Sequence, residues 1–236
     1  MTRIKMCGLA REEDVAAANE ILPDYIGFVF WPDSSRYITP ERAVELNENL
    51  DEDITNVGVF VDAPVRFVAA LMNEDLIDIA QLHGNEDDAY IAQLRQALRA
   101  PDEKAILKAF VINGPEDVQA ARETTADMVL LDAGLGEGKT FDWSLLEGFD
   151  RPYFLAGGLD ANNVAEALDR TGAAYVDTSS GIETDGVKDP EKMRAFAQAV
   201  RAWDEANPRL SFLESLHPEF HDEQEQQEEG FSPELN

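Results

Sequence analysis

The sequence predicts an α/β protein, a single (β/α)8 TIM barrel with an acidic C-terminal extension, on three observations. Apolar segments of strand length alternate with amphipathic helical patterns through residues 1–206. Such alternation requires parallel strands joined by crossover helices, and about eight units of this kind close into a barrel. The strand segments are nearly continuous apolar runs, such as YIGFVFW at 25–31, as expected of parallel strands covered on both faces. Polar and glycine residues recur where these segments end, which is the edge at which such folds bind ligands.

The elements follow in order. RIKMC at 3–7 alternates with a period of two, so Ile4 and Met6 face one way and Arg3, Lys5 and Cys7 the other. A helix is expected over 12–22, closed by Pro23, and a strand over 25–31. Thr39 caps a helix with Pro40 at its first position and residues 42–50 continuing it. NVGVFV at 56–61 is the next strand and 63–73 the next helix. Residues 76–82 read as a strand leading into His83 and Gly84, followed by a helix over 87–98. AILKAFV at 105–111 and MVLLD at 128–132 are strands flanking a helix over 115–124. The last strands are expected at 153–156 and 174–177, with helices over 162–170 and 190–203.

At 236 residues, 44% of them hydrophobic, the chain suits one large domain with a buried core. The barrel is assigned to 1–206. Residues 207–236 shift to Glu, Gln, Pro and Ser and read as an acidic, partly or wholly disordered extension. His217 and His221 lie within it, four apart but separated by Pro218, so they imply no metal site.

Asp and Glu number 48 against 19 Lys and Arg, a net charge of -29. That surface repels nucleic acid and anionic membranes, so neither is expected as a partner. The acids run from Glu12 to Glu234, so the fold itself is acidic and not only its tail. Self-repulsion of this kind is tolerated when the Debye length shrinks to about 3 Å at molar salt, which predicts a salt-accumulating cell. No apolar run reaches the roughly 20 residues of a membrane span, and the first residues carry no signal-peptide stretch. A cytoplasmic protein with a reduced thiol is expected.

Five strand ends carry the candidate chemistry. Cys7, the only cysteine, stands where the first strand hands over to Gly8 and a helix. A lone cysteine is most often a small buried hydrophobe, and it is the other strand ends that argue for more. Asp132 closes MVLLD and precedes AGLGEGKTFDW, a glycine-spaced loop able to close over a ligand. LAGGL places Gly157 and Gly158 after the seventh strand, and DTSSGIE places Ser180 and Gly181 after the eighth. In a (β/α)8 barrel these two loops form the usual phosphate site, so a phosphorylated small molecule is expected. Arg36, in the loop PDSSRYI, is a candidate receptor for a substrate carboxylate held bidentately. His83 reads as a satisfied polar residue at the barrel rim, and nothing offers a metal-ligand cluster.

The segments KMCGL, GFVFWPDSSRYI, GVFV, QLHG, KAFVI, LLDAGLGEGKTFDW, LAGGL and DTSSGIE, in this order, resemble the phosphoribosylanthranilate isomerase family of tryptophan biosynthesis over about residues 2–203. The resemblance implies an Amadori rearrangement of N-(5'-phosphoribosyl)anthranilate with no metal or organic cofactor, by a monomer or homodimer. By matching position it makes Cys7 the general base and Asp132 the general acid. It gives Arg36 the anthranilate carboxylate, and Gly157, Gly158, Ser180 and Gly181 the phosphate. Asp177 orients the substrate or a neighbouring basic group, and Lys5, one layer below Cys7, favours a thiolate. Leu135 replaces a glycine and Glu137 a Ser or Thr of the family's loop, and Ala161 stands where proline is common. The sister isomerase of histidine biosynthesis carries an aspartate where Cys7 stands. A non-catalytic phosphosugar-binding barrel has no need of both Cys7 and Asp132.

Overall fold

The computed structural model describes residues 1–132 and 142–208. Eight parallel strands pair in chain order and close on themselves: β1 (Arg3–Cys7), β2 (Tyr25–Val29), β3 (Thr55–Phe60), β4 (Ile79–Leu82), β5 (Ala105–Val111), β6 (Met128–Asp132), β7 (Tyr153–Leu155) and β8 (Tyr175–Thr178). Helices α1 (Glu12–Ile21), α2 (Pro40–Asn47), α3 (Val65–Asn73), α4 (Asp88–Ala97), α5 (Pro115–Glu123), α6 (Val164–Thr171) and α7 (Pro190–Ala206) cover the outside. This is the TIM barrel that the alternation predicts. No helix among the described residues is long and apolar enough to cross a membrane.

The alternation fails in one place among the described residues. Between β6 and β7 there is a single 3-10 turn, Trp143–Leu146, where a full unit would have a helix. The expected strand over 76–82 also begins later, at Ile79. Asp75 adopts φ 55 just past α3, so that its N–H and that of Leu76 turn back to Met72 and Leu71. Leu76 and Ile77 are therefore apolar cover for a helix end and not the start of a strand. The expected cap at Thr39 is present: its hydroxyl accepts from the Arg42 N–H at 3.2 Å.

Strand parity sorts the residues between two cores. Ile4, Met6, Ile26, Phe28 and Leu131 face the helices, whereas Tyr25, Val57, Ile79, Leu107, Leu130 and Phe154 fill the barrel's lower interior. Tyr25, Phe154 and Tyr175 close that layer, with ring centroids of Phe154 and Tyr175 4.5 Å apart. Lys5 pairs in register with Tyr25 of β2 and Asp177 of β8, which puts it above the aromatic layer and below Cys7. Asp204 of α7 fixes the start of β1, taking the N–H of Thr2 at 2.9 Å and its hydroxyl at 2.8 Å.

Candidate active site

The strand ends that position the candidate residues meet in one cavity at the C-terminal face. Cys7, Arg36, Asp132, Gly157, Gly158, Asp177 and Ser180 all line it, with Gln81, His83 and Ser179. The sequence-predicted residues are thus brought together, with one exception. A side-chain carbon at Gly181 would lie 2.0 Å from the Leu159 carbonyl oxygen, and this glycine does not line the cavity. Only glycine leaves room there for the loops after β7 and β8 to touch.

Glycines also make room for the thiol and the guanidinium. A Cβ at Gly27 of β2 would stand 2.8 Å from the Cys7 sulfur. Gly8 has φ +83, and a Cβ there would stand 2.5 Å from Cδ of Arg36. Arg36 therefore lies directly over the backbone that follows Cys7, in a space only glycine leaves free.

At the centre, Nζ of Lys5 donates to Oδ1 of Asp177 at 2.8 Å, with side-chain exposures of 0% and 9%. The neighbouring basic group expected for Asp177 is thus Lys5. A charge buried this deeply is tolerated only when paired. Burial lifts the Asp177 carboxyl above its ordinary value, more than Lys5 lowers it. Burial works against the charge of Lys5, yet Asp177 and Cys7 together hold its pKa above the usual lysine value. Burial likewise pushes the Cys7 thiol up; Lys5 and Lys188 pull it down and Asp177 adds to the rise. The expectation that Lys5 favours a thiolate holds in direction. Lys5 acts in that direction, but desolvation of the sulfur outweighs it.

Arg36 is held on its inner edge. Its Nε donates to Oε1 of Glu183 at 2.6 Å and its Nη2 to Oε2 at 2.7 Å, the fork geometry of a guanidinium on a carboxylate. Glu183 also accepts from Lys188, whose Nζ reaches the carbonyl of Ser179 at 2.9 Å. The Ser179 hydroxyl in turn donates to the carbonyl of Cys7 at 3.0 Å. A chain of contacts thus runs from Arg36 through Glu183, Lys188 and Ser179 to the strand that carries the thiol. Although burial opposes it, the two cations hold the Glu183 carboxyl below its usual range.

Glu183 and Lys188 are the functional residues that sequence reading missed. They face each other because β9 (Glu183–Thr184) and β10 (Val187–Lys188) form a small hairpin, turned at Asp185 (φ 50) and Gly186 (φ 77). The Asp-Gly pair between two short segments is the signal that reports such a hairpin. His83, read as a satisfied polar residue at the rim, has its Nδ1 3.0 Å from Nε2 of Gln81 and its Nε2 3.3 Å from Oδ2 of Asp132. Leu135 and Glu137, with the loop they belong to, and His217 and His221 lie outside the described residues.

The family model for N-(5'phosphoribosyl)anthranilate (PRA) isomerase matches residues 4–199. The N-(5'-phosphoribosyl)anthranilate isomerase of Endomicrobium trichonymphae is 41% identical over 207 residues, covering 86% of this chain and 100% of that one. The crystal structure of phosphoribosyl anthranilate isomerase from Thermotoga maritima is similar at a TM-score of 0.76 and 32% identity, across 86% of this chain and 100% of that one. A phosphoribosyl anthranilate isomerase in complex with reduced 1-(o-carboxyphenylamino)-1-deoxyribulose 5-phosphate is similar at a TM-score of 0.74 and 32% identity, with the same coverage of 86% and 100%.

Proposed function

The chain belongs to the N-(5'-phosphoribosyl)anthranilate isomerase family, and from that premise we propose that Cys7 is its general base and Asp132 its general acid. The reaction is the Amadori rearrangement of N-(5'-phosphoribosyl)anthranilate to 1-(o-carboxyphenylamino)-1-deoxyribulose 5-phosphate in tryptophan biosynthesis. The observation that carries the assignment is that a thiol and a carboxyl, from the ends of β1 and β6, line one cavity with the glycines after β7.

Asp132 delivers a proton to the ring oxygen of the ribose as the bond from that oxygen to C1' breaks and the anilinic nitrogen forms an iminium. The Cys7 thiolate then removes the proton on C2', and the electron pair neutralises the iminium to give an enolamine. Transfer of the enol proton to C1' yields the ketone. Each turnover leaves a proton on Cys7 and none on Asp132, so both must exchange with solvent before the next. A positioned acid and base each supply about 100- to 10,000-fold in such steps.

The phosphate is taken by backbone N–H groups at Gly157, Gly158 and Ser180, supported by the left-handed conformation of both glycines, φ 92 and 65. Arg36 receives the anthranilate carboxylate on the edge that Glu183 leaves open, Nη1 and the outer hydrogen of Nη2. Asp177 holds Lys5 and is not itself a proton carrier. The charge of -29 supports a working environment of molar salt inside a reducing cytoplasm, with residues 207–236 as an acidic extension of the barrel.

The test is decay of the substrate's fluorescence with purified protein in molar KCl. Cys7→Ala and Asp132→Asn are each expected to remain folded and lose at least about 100-fold in turnover. Near-normal turnover at saturating substrate in either variant removes that residue from its role.

A further inference from the structure

Glu183 and Lys188 take no step in the chemistry just described, yet both are buried beside the residue that receives the substrate's carboxylate. The Lys188 side chain is 2% exposed and that of Glu183 6%. Nζ of Lys188 has three hydrogen-bond partners: Oε1 of Glu183, the Ser179 carbonyl at 2.9 Å and the Ser179 hydroxyl oxygen at 3.2 Å. The hairpin that carries the pair is pinned from outside, since Arg11 donates to the Lys188 carbonyl at 2.7 Å and Lys192 donates to that of Glu183.

Counting hydrogens fixes the charge of each group. The Ser179 hydroxyl spends its one hydrogen on the carbonyl of Cys7 at 3.0 Å, so toward Nζ it can only accept. All three partners of Nζ are then acceptors. An ammonium satisfies them with three hydrogens, whereas a neutral amine would turn a lone pair on one of them. The Glu183 carboxyl meets only donors among the described residues, Nζ of Lys188 and Nε and Nη2 of Arg36, so it is a carboxylate. Burial pulls the Lys188 pKa below the usual lysine value and Glu183 opposes it. Two cations thus share one anion.

An Arg36 paired with Glu183 alone would belong to a neutral couple, and an incoming carboxylate would meet the repulsion of one member along with the attraction of the other. We infer that Lys188 is a specificity-determining residue whose ammonium balances Glu183, so that Arg36, although tied to a carboxylate, keeps one net positive charge for the carboxylate of the substrate. The inference rests on Arg36 being the receptor of that carboxylate. Glu183 aims the guanidinium, and Lys188 offsets the negative charge that the aiming brings. Neither Glu183 nor Lys188 lines the cavity, whereas Arg36 does, so both act through Arg36.

The experiment is calorimetry on the full-length protein with two ligands, reduced 1-(o-carboxyphenylamino)-1-deoxyribulose 5-phosphate and the same compound with a carboxamide in place of the ring carboxylate. In Lys188→Met the carboxylate ligand should bind on the order of 10- to 100-fold more weakly, the scale of removing one unit charge two side chains away at an effective dielectric constant of about 20. The carboxamide, with no charge to attract, should stay within about threefold. Adding Glu183→Gln to Lys188→Met returns the group to one net positive charge. The preference for the carboxylate should then come back, at lower affinity because the charged fork on Arg36 is gone. If Lys188→Met does not fold, Lys188→Gln, neutral but still able to donate to Glu183, takes its place. Equal weakening of the two ligands in the Lys188 variant, or a preference that does not return in the double variant, overturns the inference. Arg36→Met separates it from the reading beneath. A preference abolished by Arg36→Met but kept in the Lys188 variant overturns the inference alone, whereas a preference kept in Arg36→Met overturns the assignment of Arg36.

Discussion

Replacing Lys5 by Met tests the central ion pair, because it removes the charge while keeping most of the volume of the stem. At 2.8 Å, with an effective dielectric constant of about 20, the attraction between Lys5 and Asp177 is roughly 6 kcal/mol. Part of that is returned because the ammonium no longer has to be dehydrated. The expected net loss on breaking such a buried pair is about 3–5 kcal/mol at neutral pH. Its pH dependence carries the reasoning. Burial already lifts the Asp177 carboxyl, and only Lys5 opposes burial strongly. Without Lys5 the folded variant keeps Asp177 protonated well above pH 4, while the unfolded chain ionises there. An acid whose folded pKa is raised favours folding at low pH, and that contribution is lost as pH rises toward the folded value. Lys5 itself is charged in both states across this range, since its folded pKa is raised. The variant's deficit should therefore be small where Asp177 is protonated in both folded proteins and grow by up to about 1.4 kcal/mol for each pH unit above the parent's own raised Asp177 pKa. Urea unfolding of parent and variant from pH 4.5 to 8, in the same high salt, measures this. A deficit that does not change with pH would refute the argument, because Asp177 would then be as ionised without Lys5 as with it. The double variant Lys5→Met with Asp177→Leu should recover most of the stability and lose the pH dependence.

Three further outcomes are expected. Glu183→Gln loses the charged fork that orients Arg36, so KM should rise by about tenfold with kcat within about threefold; an unchanged KM would make Glu183 a structural residue only. Asp177→Asn removes the anion that keeps the buried Lys5 charged, and because Lys5 lowers the Cys7 thiol by more than Asp177 raises it, alkylation of this single cysteine by iodoacetamide should shift to higher pH, as it should in Lys5→Met; a shift to lower pH in Asp177→Asn would refute the dependence of the Lys5 charge on Asp177. Removing 207–236 deletes Glu214, Glu219, Asp222, Glu223, Glu225, Glu228, Glu229 and Glu234 with one cation, Arg209, so most of the negative excess stays on the barrel. Thermal melts of the full chain and of a chain ending at 206 should both fall as KCl is diluted, and a truncated chain whose melting temperature is flat with salt would place the sensitivity in the tail.

What the sequence made legible is what depends on period and position. The alternation in RIKMC put Lys5 and Cys7 on one inward face, and the glycine pair after the seventh strand marked another part of the same cavity. What it hid depends on folding back. Arg36 looked available for a bidentate grip on substrate because Glu183 is distant in sequence, and only the Asp185–Gly186 turn shows that Lys188 comes back to share that carboxylate. That residue 181 has no room for a side chain comes from the carbonyl of Leu159, a neighbour in space alone. The apolar pair Leu76 and Ile77 was indistinguishable from a strand by pattern, since the residue that turns the chain is an aspartate in a left-handed conformation and not the glycine that would have announced it.

The proposed chemistry asks Cys7, a buried thiol whose pKa is raised, to act as a thiolate. Below its pKa the thiolate's share falls about tenfold for each unit by which the thiol's pKa rises. The base gains less than tenfold in strength per unit, because Brønsted slopes for thiols are about 0.4–0.5. Burial of Cys7, and Asp177 nearby, thus work against turnover, while Lys5 and Lys188 work for it. Asp177 is retained despite this because a lone ammonium at the barrel's centre, fully buried, would not remain charged. A neutral Lys5 would give no help to the thiolate at all. The carboxylate that raises the Cys7 thiol by its own charge is therefore also what keeps the cation beneath Cys7 ionised, and the site settles on a pair whose net charge is near zero and whose positive member acts more strongly on the sulfur.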